Sequence, residues 1–363
     1  MRRVLLLMLT GSLMAGMASA QVTPATGSTP PDDTPSIKVG VVFFGDYTYT
    51  QNPQATDTDG NLFNPSQFNV GRTYLNITGN ISHLVSFRVT PDVSRETGAG
   101  SSLSGSLEYR VKYAFAQLNF DDWMTNGSWA RFGIQQTPWV DYQEGIYRYR
   151  FQGTVFSERE GFLSSSDAGA SFHYNLPSNY GDVHVGVYNG ETYSKVEVND
   201  QKALQVRATV RPFAASSAIP LRGLRAHLFY DGDSYVKNAE RKRLIGSVTF
   251  EHRYLNAGFD YLDAKDQTSI TKPELEGRGW SVWLTPRSSK GWEALLRYDH
   301  MKPNSLFDTQ ERNRTILGVS YWFPHQGTVS TAFLLDYDGQ TFRNLTPAPP
   351  AQRKIAVHAL VTF

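Results

Sequence analysis

Lys354-Ile-Ala-Val-His-Ala-Leu-Val-Thr-Phe363 decides the fold. Ile355, Val357, Ala359, Val361 and Phe363 share one face at period two, and Lys354, Ala356, His358, Leu360 and Thr362 share the other. Such alternation is a strand with one apolar and one mixed face. The pattern recurs upstream. Ile37, Val39, Val41 and Phe43 alternate with Lys38, Gly40, Val42 and Phe44. Leu107, Tyr109, Val111, Tyr113 and Phe115 alternate with Glu108, Arg110, Lys112 and Ala114. Val329, Thr331, Phe333, Leu335 and Tyr337 alternate with Ser330, Ala332, Leu334, Asp336 and Asp338.

Such runs predict strands over 36–50, 67–79, 83–93, 106–120, 128–140, 165–175, 182–189 and 201–212. They continue over 223–234, 241–253, 256–265, 277–286, 291–302, 311–323, 328–339 and 353–363. An even number places both ends of the chain on one side. Short connections (79–82, 254–256, 287–290, 324–327) lie between longer ones (51–66, 94–105, 141–164, 190–200, 266–276, 340–352). The turn at 213–222 is long for its kind and the loop at 235–240 short. Tight turns at one end and larger loops at the other are the layout of an all-β, sixteen-stranded antiparallel transmembrane barrel with long extracellular loops. Tyr174, Phe213, Tyr254, Phe323 and Phe363 end strands that descend to the tight turns, as an interfacial aromatic ring requires. A soluble sandwich or β-helix alternates too, but gives neither this strand count nor this loop asymmetry.

The bulk numbers agree. Of 363 residues, 40% are hydrophobic, and 19 are Tyr, 21 Phe and 7 Trp; mean hydropathy is −0.39. That is too polar for a helical bundle in lipid. It suits a barrel, where only every second residue touches lipid. A net charge of +1 gives no support to a nucleic-acid partner. The absence of cysteine excludes disulfides and thiolate metal sites, and suits an oxidising periplasm. Residues 1–20 read as a secretory signal: Arg2 and Arg3, an apolar core from Val4, and Ala18-Ser19-Ala20 before cleavage. Residues 21–35 read as a flexible periplasmic lead-in, and 36–363 as the barrel.

Function is expected in the loop after the fifth strand, Asp141 to Gly161. It is too rich in Tyr and Phe for a solvated surface loop. Folded inwards, it would pack rings on the wall and show charges to the channel, where few residues set selectivity. Its charges are Asp141, Glu144, Glu158 and Glu160 against Arg148, Arg150 and Arg159. An outward loop making subunit contacts is the plainer alternative.

Arg131-Phe-Gly-Ile-Gln-Gln-Thr-Pro-Trp139, then Glu144, then Phe156-Ser-Glu-Arg159, resembles the strand-five and third-loop region of the phosphate-selective porin O/P family. Asp167-Ala-Gly-Ala-Ser171 and Gly186-Val-Tyr-Asn-Gly190 continue the likeness, which covers about residues 129–190. The resemblance implies a homotrimeric outer-membrane porin for passive diffusion, its third loop narrowing the pore. It leaves phosphate open, because this third loop carries at least as many acids as bases. The final strand, ending on Phe363, resembles the closing strand that barrel assembly machinery reads.

If each apolar set faces lipid, the opposite set lines the lumen. The pore-lining wall residues are then Arg72, Arg88, Arg110, Lys112, Arg131, Arg207, Arg211 and Arg225, and the constriction residues are Glu144, Arg148, Arg150, Glu158 and Arg159. Strands two to five bring five of these bases with only Glu108 among them, and strands thirteen and fifteen bring Glu293, Asp299, Asp336 and Asp338 with Arg297. A basic wall facing an acidic one predicts a transverse field and a weak anion preference. Small ions and solutes are the expected partners, beside outer-membrane lipid. No cofactor or metal site is expected. Asp57-Thr-Asp59-Gly60-Asn61 opens like a Ca²⁺ loop, but Phe68 stands where the closing Glu belongs, so an Asx turn is the expectation. His184, His227 and His358 point into the lumen by parity. A non-channel barrel (adhesin or anchor) and an outer-membrane hydrolase remain the alternatives; Ser164-Ser-Ser166 has no histidine the sequence can pair with it.

Overall fold

Alternating side chains and turn residues give antiparallel strands that join into one closed sheet. The computed structural model describes residues 33–363 apart from 97, 99, 306, 308 and 326–328, so the expected signal sequence lies outside the described residues. The first strands are β1 (Ser36–Asn52), β4 (Ser66–Asn80), β5 (Val85–Arg95), β6 (Leu107–Asn119), β7 (Trp129–Gln136) and β8 (Ser166–Asn175). Next come β9 (Gly181–Tyr188), β10 (Ala203–Val210), β11 (Leu224–Val236), β12 (Ala239–His252) and β13 (Leu255–Asp266). The wall is completed by β14 (Leu275–Pro286), β15 (Trp292–Lys302), β16 (Glu311–Trp322), β17 (Ser330–Arg343) and β18 (Gln352–Thr362). A small hairpin, β2 (Ala55–Thr56) and β3 (Leu62–Phe63), stands apart in the first loop. The sixteen wall strands pair with their neighbours in chain order, and β1 pairs with β18. That seam runs from Val42 opposite Thr362 to Asn52 opposite Arg353. It is finished by Val41 N–H on the Phe363 carbonyl (3.0 Å) and Phe363 N–H on the Val41 carbonyl (3.1 Å).

In β18, Ile355, Val357 and Val361 are exposed, whereas Ala356, His358, Leu360 and Thr362 are buried. The apolar face points outwards, as the alternation predicts. Phe213, Tyr254, Phe323 and Phe363 are exposed at the short-turn end, as the expected aromatic ring needs. No helix among the described residues is long and apolar enough to cross a membrane, which says nothing of strands. A buried charge on the outer face meets hydrocarbon, so Val357→Arg, at the middle of β18, is expected to cost about 2–4 kcal/mol of unfolding free energy in lipid vesicles. A urea titration that finds no loss would mean that this face does not meet lipid.

The parity of β6 departs from the expectation. Thr90 faces Tyr113 but Pro91 faces Val111, so Lys112 is an extra residue in the ladder. A bulge re-aims the side chains beyond it. Tyr113 and Phe115, expected towards lipid, are turned into the lumen and buried, while Leu118 is exposed. The fifth strand is also shorter than expected: β7 stops at Gln136, because Pro138 has no N–H to continue the ladder. Gly133 in β7 has φ +125°, and a Cβ there would lie 2.3 Å from the Ala114 carbonyl oxygen, so only glycine lets β6 approach this closely.

At the short-turn end Asp33 accepts from the His83 backbone N–H at 3.0 Å, and Asp122 meets the His83 ring at 3.0 Å. Hydrogen bonding to Asp33 raises the His83 pKa above the ordinary imidazole value. In the first loop the Asp57 carboxylate accepts the backbone N–H groups of Asp59 (2.9 Å) and Asn61 (2.8 Å), which is the expected Asx turn.

Candidate functional site: the loop that crosses the lumen

The loop between β7 and β8 leaves the wall at Thr137, whose hydroxyl donates to the Ser164 carbonyl at 2.6 Å and closes the base of the excursion. It then forms helix α1 (Val140–Tyr147) and a short turn α2 (Phe156–Arg159), which the sequence reading left as irregular loop. Trp139, Val140, Ile146, Tyr147 and Tyr149 are each 3% exposed or less. They pack on apolar residues that the wall presents inwards, among them Ile245, Leu262, Trp283, Leu295 and Ile316. The inward-folded third loop is therefore present, and its aromatics pack against the wall as expected.

The far tip of the loop lies against the short-turn end of β13, β15 and β16. Asn256 donates to the Ile146 carbonyl at 2.9 Å. Arg148 reaches Glu293 at 3.1 Å and stacks 4.4 Å over the Trp322 ring. The Tyr149 hydroxyl bonds Glu293 (3.0 Å) and Ser320 (2.8 Å). Arg148 ends α1 with φ +68°, the left-handed conformation usually left to glycine. A non-glycine residue held there needs its surroundings to fix it; here the Glu293 pair and the indole do so. The return limb is held by Gln152 on Asp336 (2.9 Å), Arg297 on the Thr154 carbonyl (2.9 Å) and Arg312 on Glu160 (2.7 Å).

Charge on the loop is sorted by side. Towards β4–β6, Asp141 accepts from the Tyr113 hydroxyl at 2.8 Å, and Arg150 pairs with Glu144 (2.5 Å) and Glu158 (3.8 Å). Towards β15–β17, Arg148 takes Glu293, and Arg159 donates to Gln152 (2.9 Å) within reach of Asp338's attraction. Most loop acids therefore sit on the basic wall and two loop bases on the acidic one.

This corrects the expected transverse field. The sequence reading gave the basic wall only Glu108, but Asp92 is fully buried there and pairs with Arg72. Asp92 follows the alternation of Arg88 and Thr90 onto the lumen face, a position that the sequence reading left out of the basic wall. On the acidic wall Asp299 is held by Arg297 (2.8 Å), Asp338 by Arg314 (2.9 Å) and Asp336 by His358 (3.1 Å). Charges paired in contact act as dipoles, whose reach is short.

The other expected residues divide by place. Arg88 donates to Thr90 (2.9 Å) and Asn76 (2.7 Å) and stacks 4.5 Å over Tyr113. The Lys112 ammonium donates to the Tyr74 hydroxyl at 3.1 Å. Arg131 lies 3.7 Å over the Trp129 ring and donates to Gln117 (2.8 Å) and Gln136 (3.0 Å). Arg207 pairs with Asp182 (2.5 Å), donates to the Pro138 carbonyl (2.8 Å) and stacks 3.6 Å over Tyr142, so it anchors the start of the loop. Arg225 pairs with Glu251 and reaches the Tyr142 hydroxyl at 3.4 Å. Arg110 sits apart, donating to Tyr193 of the fourth loop at 2.7 Å. Arg211 lies at the short-turn end, on the Arg222 carbonyl at 3.3 Å, away from the loop. His184, His227 and His358 are buried towards the lumen. The Ser164 hydroxyl donates to the Ser166 carbonyl (3.2 Å). No group of metal-ligating side chains occurs among the described residues.

No family model matches the sequence, and no curated protein does either. Solved structures match over almost the whole barrel. An anion-selective porin from Comamonas acidovorans has a TM-score of 0.64 at 10% identity, over 91% of this chain and 100% of that one. OmpF of Salmonella typhi, in complex with daunomycin, has 0.61 at 11%, over 90% and 97%. The outer membrane channel DcaP of Acinetobacter baumannii has 0.57 at 12%, over 93% and 100%. The fold is that of the sixteen-stranded outer-membrane porins, with a polar lumen crossed by one loop.

Proposed function

We propose that the chain is a non-enzymatic outer-membrane channel for passive diffusion of small hydrophilic solutes and ions, with a weak preference for anions. What carries the reading is the ionic inner face: a lumen lined by so many paired charges is compatible with water and with little else. The preference for anions rests on Arg88 and Lys112. Among the described residues neither has a carboxylate in ion-pair contact; their partners are amide and hydroxyl oxygens and aromatic rings. Whether phosphate is favoured, as the family resemblance implies, belongs to the same proposal. So do the homotrimer and delivery by barrel assembly machinery through the strand ending at Phe363; one neighbour, OmpT of Vibrio cholerae, was solved in a trimer form.

Arg110 at the long-loop mouth and Arg88 inside are the informative positions. In a KCl gradient across a planar bilayer, Arg88→Gln with Arg110→Glu is expected to move the reversal potential towards cations. No movement would overturn the anion preference. One observation favours a second reading, a barrel that does not conduct: Glu144, Arg148, Arg150 and the wall bases beside them are almost wholly buried, so the loop fills its level of the lumen closely. Absence of conductance steps from the wild-type protein would decide for that reading.

A further inference from the structure

At the long-loop end the outward faces of β12–β15 carry charge. Lys242, Lys265, Arg278 and Lys302 share the alternation of Leu244, Tyr261, Trp280 and Tyr298, so they stand on the outside of the wall. Their neighbours Arg243, Ala264, Gly277 and Met301 are buried on the lumen side. The side chains of Lys242, Lys265 and Arg278 are 41%, 41% and 47% exposed, so a ligand outside the wall can reach them. Just below them runs a row of outward rings: Tyr261 lies opposite Trp280, whose ring centre is 5.5 Å from that of Tyr298. Such rings sit at the membrane interface. Lys265, Arg278 and Lys302 stand two to four residues beyond these rings. On a strand tilted by about 40° that is roughly 5–10 Å higher, among the lipid headgroups. The matching outer positions of β6, β9 and β10 are uncharged: Tyr109, Val187 and Leu204, all exposed.

The ladders also set like charges side by side. Lys242 is directly opposite Lys265, and Arg278 is directly opposite Lys302. Like charges in that position destabilise a sheet. Acids stand close by: Glu240 on Lys242 (2.7 Å), Glu274 on Lys265 (3.1 Å) and Asp263 on Arg278 (3.0 Å). Glu276 lies between Lys265 (3.5 Å) and Arg278 (3.1 Å). Pairs this open to solvent are weak, so a more highly charged anion can draw the bases from them at little cost.

We propose that this outer belt binds the phosphate monoesters of a lipid headgroup in the leaflet on the long-loop side. One phosphate bridges Arg278 and Lys302, and another bridges Lys242 and Lys265. A phosphate monoester carries close to two negative charges and three strong acceptor oxygens, enough to serve two bases on adjacent strands. The Arg278 guanidinium presents a planar fork that matches it. The occupant is a lipid because the rings beneath the belt set it against headgroups, and because Val282, Leu284 and Leu296, exposed below the same rings, are where acyl chains would lie. The belt faces away from the lumen, so binding can be read whether or not the barrel conducts.

The test is native mass spectrometry of the full chain in detergent, with heat-modifiable gel migration as the check of folding. The chain is titrated with diphosphorylated lipid A, with the same lipid stripped of its phosphates, or with inorganic phosphate. Diphosphorylated lipid A is expected to bind saturably, and Arg278→Gln with Lys302→Gln to weaken it by about tenfold or more, as for loss of a charge-assisted hydrogen bond. The stripped lipid is expected to bind far more weakly. Removing like charges relieves the ladder, so the double variant is expected to fold; if it does not, Lys242→Gln with Lys265→Gln is measured in its place, with the same loss expected. Any of four results overturns the proposal: no saturable binding of diphosphorylated lipid A, equal binding of the stripped lipid, full affinity in the folded variant with or without a change in oligomer size, or displacement by inorganic phosphate at the concentration the lipid needs.

Discussion

Replacing residues 139–162 with a short glycine link is expected to raise the single-channel conductance several-fold. The excised segment takes no part in the wall ladder, and its base is already narrow, with Thr137 donating to the Ser164 carbonyl at 2.6 Å. Pro138 and Leu163 can therefore be joined without stretching β7 or β8. The lost limb carries the buried rings of Trp139, Tyr147, Tyr149 and Phe151, which lie across the lumen. Their removal widens the path where it is most closely filled. It also uncovers Ile245, Leu262, Leu295 and Ile316, so the shortened barrel is expected to be less stable at the same time. An unchanged conductance in planar bilayers would mean that the loop does not set the width of the path.

Arg297→Met is the point substitution with the largest expected cost. Arg297 holds Asp299 with two bonds of 2.8 Å, and the two side chains are 1% and 2% exposed. Removing one member leaves a buried charge without its counter-ion, which costs about 3–5 kcal/mol. The third donor of Arg297, on the Thr154 carbonyl, is lost as well, and with it one attachment of the loop. The double change Arg297→Met with Asp299→Leu removes both charges and is expected to recover most of the loss, since an apolar pair of similar volume is often no worse than a buried ion pair. Urea titrations in lipid vesicles measure both. A single substitution no more costly than the double would show that the pair is solvated.

The wall was legible in the sequence because its physics is local. A strand that meets lipid on one face and water on the other must alternate, and β18 does so from Lys354 to Thr362. The existence of the inward loop was legible too, since Tyr and Phe between Asp141 and Gly161 have no place in water. What escaped was whatever a single inserted residue changes. Lys112 shifts the count in β6 by one, which carries Tyr113 and Phe115 to the other face. Asp92 is a different case: it keeps the alternation of Arg88 and Thr90, so its place on the lumen face was legible. The partners of the loop were beyond reach of any spacing argument: Arg148 and Glu293 are 145 positions apart. Its left-handed end at Arg148 has no signal in the sequence, where glycine would have announced it.

The seam has a consequence for how this chain must be made. Val42 lies opposite Thr362, a separation that puts the last pairing among the most expensive contacts to find by diffusion. Until those two strands meet, each offers an open row of N–H and C=O groups that another copy could copy onto. A chain with both margins open is therefore at risk of pairing with its own copies, and the hazard ends at one moment, when the circle is completed.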